Sequence, residues 1–222
     1  MALVVIIPAA GTGSRFGGGL PKQFQTLAGK PMIQHVIERF LLDELVTRVV
    51  VPVAEVLLAS VKNSDRVTFV AGGETRQQSV IRGLAEADEA ELIAVHDAAR
   101  PLFSTAIFHA VVEAARADGA ALPVIPVADT IHLMNADGTV AQTLDRTMLG
   151  AAQTPQCFHA EILREVLARA EREGVEGTDE AGLAAQFGYR VRGVPGDPRN
   201  LKITVPEDLA IAESYLQQWS ST

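Results

Sequence analysis

Cysteine is almost missing from this chain: the one thiol, Cys157, can form no disulfide within it. Without a Cys/His cluster a structural zinc site has no ligands either. Positive charge is scarce as well, with 19 Lys and Arg against 27 Asp and Glu and a formal net charge of −8. That balance excludes a surface that grips nucleic acid through its phosphates alone. Aromatic residues make up 5% of the sequence, and they do not alternate with basic ones as on a nucleic-acid-binding face. No apolar run approaches the roughly 18 residues of a membrane span. The apolar start at residues 3–7 is too short for a signal peptide and lacks its basic flank. The expectation is a cytoplasmic chain with no membrane and no nucleic-acid partner.

Also missing is a Gly/Ser- or Pro-rich linker. The 222 residues, 48% of them apolar, therefore read as one domain over 1–222 with ample material for a core. Short Val/Ile/Leu runs at 46–53, 67–70, 91–95 and 120–125 predict buried strands. Between them lie amphipathic segments. One begins at Pro31 and puts Met32, Ile33, Val36, Ile37 and Phe40 on one face. Others span about 75–87 and 104–117. This alternation predicts an α/β fold, a Rossmann-like doubly wound and mostly parallel sheet.

The rhythm breaks at Ala128. Two strand-like runs flank Asn135-Ala136-Asp137-Gly138-Thr139, which predicts a β-hairpin inserted into the sheet. An isolated hairpin cannot bury both faces, and Ile131, Leu133, Met134 and Val140 would stay wet. The segment at about 128–152 is therefore expected to project as an arm and embrace a second subunit, making a homodimer. After it, helices are expected at about 160–173 and 179–187, and strands near 189–194 and 201–204. A last helix opens at Pro206-Glu207-Asp208, where acidic residues suit the N-terminal dipole.

Ligands of open α/β sheets bind beyond the carboxyl ends of the strands. The first strand delivers Ala9-Ala10-Gly11-Thr12-Gly13-Ser14-Arg15, with Pro21-Lys22-Gln23-Phe24 shortly after. Side chains this small let backbone N–H groups approach a nucleotide, and two cations nearby would stabilise charge building on phosphorus. Three more strand ends carry tiny or polar residues with a charge: Ala71-Gly72-Gly73-Glu74-Thr75-Arg76 with Ser79, His96-Asp97-Ala98-Ala99-Arg100-Pro101, and Lys202 beside Thr204. Familiar phosphate motifs are excluded. Phe16 stands where a dinucleotide fingerprint needs its third small residue, no Gly-Lys-Ser/Thr closes a P-loop, and no Asp-x-Asp pair is present.

The first loop resembles the signature of nucleotidyltransferases. Taken with Ala71-Gly72-Gly73, HDAARP at 96–101, Asp129-Thr130, Gln153-Thr154-Pro155-Gln156, Thr178-Asp179-Glu180 and NLKIT at 200–204, the chain resembles the 2-C-methyl-D-erythritol 4-phosphate cytidylyltransferase family from residue 3 to about 215. The resemblance implies transfer of a cytidylyl group from CTP to a polyol phosphate, with pyrophosphate leaving. It implies Arg15, Lys22 and Lys202 as catalytic cations, and a nucleotide pocket from Ala9, Ala10, Gly11, Gly73, Glu74, Ser79 and Ala98. It implies polyol-phosphate contacts from Asp97, Arg146, Thr154 and Thr178, with Arg146 on the arm serving the partner's site. Mg2+ is implied as the cofactor, held mainly by CTP phosphates and water rather than by a carboxylate cage. Gly150 stands where the family usually has Trp, which bears on packing at the base of the arm.

Plainer readings stand beside these. Lys202 reads equally as an edge-strand charge, Arg100 as a structural ion pair with Asp97, His96 as a packed histidine and Cys157 as core. The rival functions are a cytidylyltransferase for another polyol phosphate, such as ribitol 5-phosphate, and a non-catalytic nucleotide-binding regulatory module.

Overall fold

Strands whose odd and even residues are both apolar need cover on two sides, and the structure supplies it. A computed structural model describes residues 2–11 and 21–220. Its strands are β1 (Leu3–Ile6), β2 (Thr26–Leu27), β3 (Lys30–Pro31), β4 (Val46–Val53), β5 (Val67–Ala71), β6 (Leu92–Val95), β7 (Ala120–Pro126), β8 (His132–Met134), β9 (Val140–Thr143), β10 (Gly150–Ala152), β11 (Gln156–His159) and β12 (Arg192–Pro195). Its α-helices are α1 (Met32–Leu41), α2 (Arg76–Leu84), α3 (Thr105–Asp118), α4 (Ala160–Glu173), α5 (Glu180–Gln186) and α6 (Glu207–Ser220).

Eight strands form the main sheet. β6, β1, β4 and β5 are parallel neighbours in that order. β11 runs antiparallel between β6 and β7. Ala121 pairs with both Cys157 and Arg192, and Val124 with both Ala152 and Pro195. β10 and β11 therefore share one edge of β7, and β12 lies parallel on the other. The mostly parallel sheet matches the sequence pattern, but the antiparallel β10 and β11 do not announce themselves. Gly150-Ala151-Ala152 holds no β-branched or aromatic residue, and Pro155 interrupts the run.

Successive strand residues point to opposite faces. Leu3, Val5, Ile7, Val49 and Val51 pack with Val36 and Phe40 of α1 and Phe108 and Val112 of α3. Val4, Ile6, Val50, Ile93 and Val95 pack with Val80 of α2, Leu163 and Val166 of α4, and Leu183 of α5. A smaller cluster of Leu27, Met32, Leu102, Ile203 and Ala212 seats α6 against the short β2–β3 hairpin.

The expected strand at 201–204 does not form. The Thr204 and Val205 N–H groups donate to Asp208 Oδ2 at 2.7 and 3.1 Å, so a side chain in the first turn of α6 takes donors a ladder would need. The segment is still pinned, because Ile203 N donates to Ala99 O at 2.8 Å. The strand expected near 189–194 sits at Arg192–Pro195, and the helix expected to reach residue 87 stops at Leu84.

The arm is a hairpin as expected. β8 and β9 pair antiparallel, and Gly138 takes the left-handed φ of 86° that its turn requires. Leu133, Met134, Val140 and Met148 are 54, 51, 53 and 83% exposed.

Gly83 shows how closely α2 lies on the sheet: a Cβ there would come within 2.7 Å of Ile6 Cγ2 and 3.0 Å of Pro52 Cγ. Alanine raises helix propensity by about 1 kcal/mol, yet both neighbours are buried in the sheet. Gly83→Ala is expected to destabilise the protein by about 1–3 kcal/mol. Urea unfolding read by far-UV circular dichroism checks this, and a stabilised variant would contradict the packing described.

Candidate active site

The carboxyl ends of β1, β5 and β6 open on a cavity of about 180 Å3, closed on one side by the 201–204 segment. After β1, Gln23 holds the chain: its Nε2 donates to Ala9 O at 2.6 Å and Gly11 O at 2.9 Å, and the side chain is buried. After β5, Thr75 and Gln78 form a capping box, with Gln78 N donating to Thr75 Oγ1 at 3.2 Å and Gln78 Oε1 accepting from Glu74 N at 2.8 Å and Thr75 N at 3.4 Å. Ser79 Oγ accepts from Gly73 N at 3.1 Å and donates to Thr75 O at 2.9 Å. The positive N-terminal end of α2 thus faces the cavity, which favours an anionic ligand.

Glycine is required in this wall for close approach. A Cβ on Gly72 would stand 2.3 Å from Ala10 Cβ, and one on Gly73 would stand 2.3 Å from Gln78 Cβ. The capping box therefore demands Gly73 before any ligand enters.

Asp97, at the end of β6, gathers charge from three directions. Lys202 Nζ lies 2.9 Å and Arg100 Nε 3.6 Å from its Oδ2, and Arg76 Nε lies 3.4 Å from its Oδ1. Burial alone would raise this carboxyl. Arg76, Lys202 and Arg100 together hold it far below the usual carboxylate range. Arg76 also donates through Nη1 to Glu180 Oε1 at 2.7 Å. Lys22 Nζ donates to Ile203 O at 3.2 Å, which brings it to the same wall as Lys202.

Beneath Asp97 runs a chain of hydrogen bonds. His96 Nε2 bonds Arg100 O at 3.0 Å, so Nε2 carries the proton and Nδ1 accepts from the Thr154 hydroxyl at 3.1 Å. Thr154 Oγ1 in turn accepts from Asp97 N at 3.1 Å. Arg100 continues outward, with Nη1 donating to Asn200 O at 2.6 Å and Nη2 to Ala152 O at 3.3 Å. His96 and Arg100 are thus structural, as their plainer readings have it, and so is Cys157, a fully buried thiol that burial pushes up to about 12.

Of the residues singled out in the sequence, Ala9, Ala10, Gly11, Lys22, Gly73, Glu74, Ser79, Asp97, Ala98 and Lys202 line this one cavity. Arg15 lies outside the described residues. Three others do not line it. Thr154 is 4% exposed, with its hydroxyl engaged by His96 and Asp97. Thr178 is exposed ahead of α5, and Arg146 sits exposed on a single 3-10 turn, Arg146–Met148, bonding Ala128 O within the arm. Arg76 and Gln23 belong to the site and carry no sequence-derived role. Gln23 stood in the quoted Pro-Lys-Gln motif, and Arg76 closed the run after β5, so a rule assigning every charged strand-end residue would have found the latter. Among the described residues, no group of three or more His, Cys, Asp or Glu is placed to hold a metal ion, and no helix is long and apolar enough to cross a membrane.

Comparison with known proteins agrees with this geometry. The IspD family model, 2-C-methyl-D-erythritol 4-phosphate cytidylyltransferase, matches residues 3–218. The enzyme of that name from Acidobacterium capsulatum is 42% identical, with all of both chains covered. That from Rhodococcus jostii is 43% identical over 97% of this chain and 96% of the relative. The crystal structure of the Thermus thermophilus enzyme superposes with a TM-score of 0.83 at 35% identity, covering 98% of this chain and 100% of that one. By these matches the chain is a nucleotidyltransferase. More narrowly, the chain belongs to the 2-C-methyl-D-erythritol 4-phosphate cytidylyltransferase family. Its function is cytidylyl transfer from CTP to that polyol phosphate in isoprenoid precursor biosynthesis.

His96 gives the site an acid limit. Burial lowers its imidazole from 6.5 to about 3 in the folded protein. Between those values the unfolded chain binds a proton that the folded chain does not, so stability falls as the pH falls through the window. The slope contributed is at most about 1.4 kcal/mol per pH unit. Thermal midpoints recorded from pH 7 to pH 4.5 are expected to drop less steeply for His96→Gln than for the wild type. Parallel curves would mean that His96 is not held neutral.

Proposed function

We propose that Lys22, Lys202 and Arg15 are the catalytic cations of this transfer. An oxygen of the polyol's phosphate attacks the α-phosphorus of CTP in line, and pyrophosphate departs. The attacking oxygen is already anionic, so no general base is needed; positioning and charge stabilisation carry the step. The supporting observation is that Lys22 and Lys202, far apart in sequence, line one cavity. Both ammonium groups have fixed partners, the Ile203 carbonyl and the Asp97 carboxylate. Charge on the α-phosphate therefore meets cations that are already oriented.

In the same reading, the small loop from Ala9 to Gly11 and the wall of Gly73, Glu74, Ser79 and Ala98 take the nucleotide. Asp97 accepts a hydroxyl of the polyol phosphate, joined by Thr154 and Thr178. For Thr154 the geometry supports an indirect part, since its hydroxyl fixes the backbone of Asp97. Mg2+ is the proposed cofactor. Asp97 is already paired with cations and Glu74 stands exposed at the rim, which fits an ion carried chiefly by CTP phosphates and water. When bound, it would neutralise part of the triphosphate charge.

We further propose that residues 1–222 act as one cytoplasmic domain whose arm, at about 128–152, builds a homodimer. Exposed Leu133, Met134, Val140 and Met148 support this, because such apolar surface is unfavourable in water. Arg146 would then clamp the polyol's phosphate in the partner's site.

Pyrophosphate release should be fast with CTP and methylerythritol phosphate, and slow with UTP, ATP or ribitol 5-phosphate at low concentration. A preference for ribitol 5-phosphate would overturn the substrate assignment, and tight CTP binding without turnover would favour the regulatory reading. Lys22→Ala and Lys202→Ala are each expected to lower kcat about a hundredfold, on the order of 3 kcal/mol in the barrier, with the thermal midpoint little changed.

The shared site has its own test. Mixed and reassociated Lys22→Ala and Arg146→Ala subunits should regain activity, since one site of each heterodimer then holds both wild-type residues. No recovery in heterodimers confirmed by mass spectrometry would place Arg146 in its own subunit's site or in none.

A further inference from the structure

Glu180 is a buried acid without an assigned task. It opens α5, is 1% exposed, and accepts from Arg76 through Oε1, while its Oε2 is buried and has no hydrogen-bond partner among the described residues. A half-satisfied buried carboxylate weakens a fold, so packing does not explain it. The segment holding it is fixed from two sides. Gln77, next to Arg76 on α2, bonds Val175 O at 3.1 Å and Gly177 N at 3.0 Å. Gln156 of β11 bonds Asp179 Oδ2 at 2.7 Å and Ala181 N at 3.0 Å. Glu180 is a rigid anchor.

The load on that anchor is Arg76. Its guanidinium meets Glu180 at 2.7 Å but Asp97 only at 3.4 Å. The two oxygens of Asp97 are consequently unequal: Oδ2 has the short contact with Lys202 at 2.9 Å, and Oδ1 has only the long one. We propose that Glu180 is a positioning residue which, by holding Arg76 back, keeps Oδ1 of Asp97 open to accept a hydroxyl of the polyol phosphate. This rests on the reading of Asp97 as a polyol contact. Without the anchor, Arg76 closes on Asp97 as a two-pronged pair and competes with the substrate.

The test is steady-state kinetics with each substrate varied in turn, on four proteins. Glu180→Gln keeps shape and an acceptor oxygen but removes the charge. It is expected to raise KM for methylerythritol phosphate about tenfold, the worth of one hydrogen bond to a charged group, and to leave KM for CTP within about twofold. The double variant Arg76→Gln/Glu180→Gln removes the competitor together with its anchor, and should return the polyol KM to within about threefold of wild type. A merely structural role predicts a lower thermal midpoint with both KM values unchanged, and that result overturns the proposal. So does a double variant whose polyol KM stays high, which also decides the matter if Glu180→Gln fails to fold. Asp97→Asn separates the underlying reading: if it leaves the polyol KM unchanged, Asp97 is not a polyol contact. If it raises that KM and Glu180→Gln does not, only the positioning role falls.

Discussion

One carboxylate holds this site together. Arg76, Arg100 and Lys202 all turn toward Asp97, and three like charges gather so closely only around a shared counter-ion. The arrangement joins the end of β6 to α2 and to the irregular segment after Asn200, which are distant in sequence. Beneath it, the Thr154 hydroxyl and the neutral His96 imidazole fix the backbone of Asp97 from the core side. The geometry is therefore set by buried groups before any ligand arrives, and little reorganisation remains for the reacting state.

The nucleotide wall follows a different physical rule, that of close backbone approach. Gly72 lets the chain after β5 pass against Ala10, and the Thr75–Gln78 capping box satisfies the first donors of α2. Gln23 performs the matching service for the loop after β1, donating to the Ala9 and Gly11 carbonyls. Small residues here serve the protein's own packing and hydrogen bonding as well as a ligand's shape.

The parallel part of the fold was legible because its strands are apolar on both faces and lie between amphipathic helices. Phe40 and Val36, for example, follow a helical stripe that does reach the core. β10 was not legible, since a Gly-Ala-Ala run carries no strand signature and pairs only with β7, and β11 is a four-residue run directly after Pro155 that is seated between β6 and β7. Residues 201–204 misled in the opposite sense: Leu, Ile and Thr favour a strand, but Asp208 competes for the amides. In the site, Lys22 was readable as a charge beside a small-residue loop, whereas Lys202 read equally as an edge-strand charge and drew its role from the family resemblance. The Arg76–Glu180 pair was not legible, because its members stand 104 residues apart and nothing local links one to the other. For Thr154 the family resemblance implied a ligand contact, whereas its buried hydroxyl bonds His96 and the Asp97 backbone.

The way the arm joins the sheet has a topological consequence. Pro126 and Gly150 face each other across the β7–β10 ladder, so the chain leaves the sheet and returns to it at a single rung. Everything between is an excursion whose length and sequence can drift without shifting any strand of the sheet. The scaffold beneath the strand ends is thereby independent of how long the arm grows.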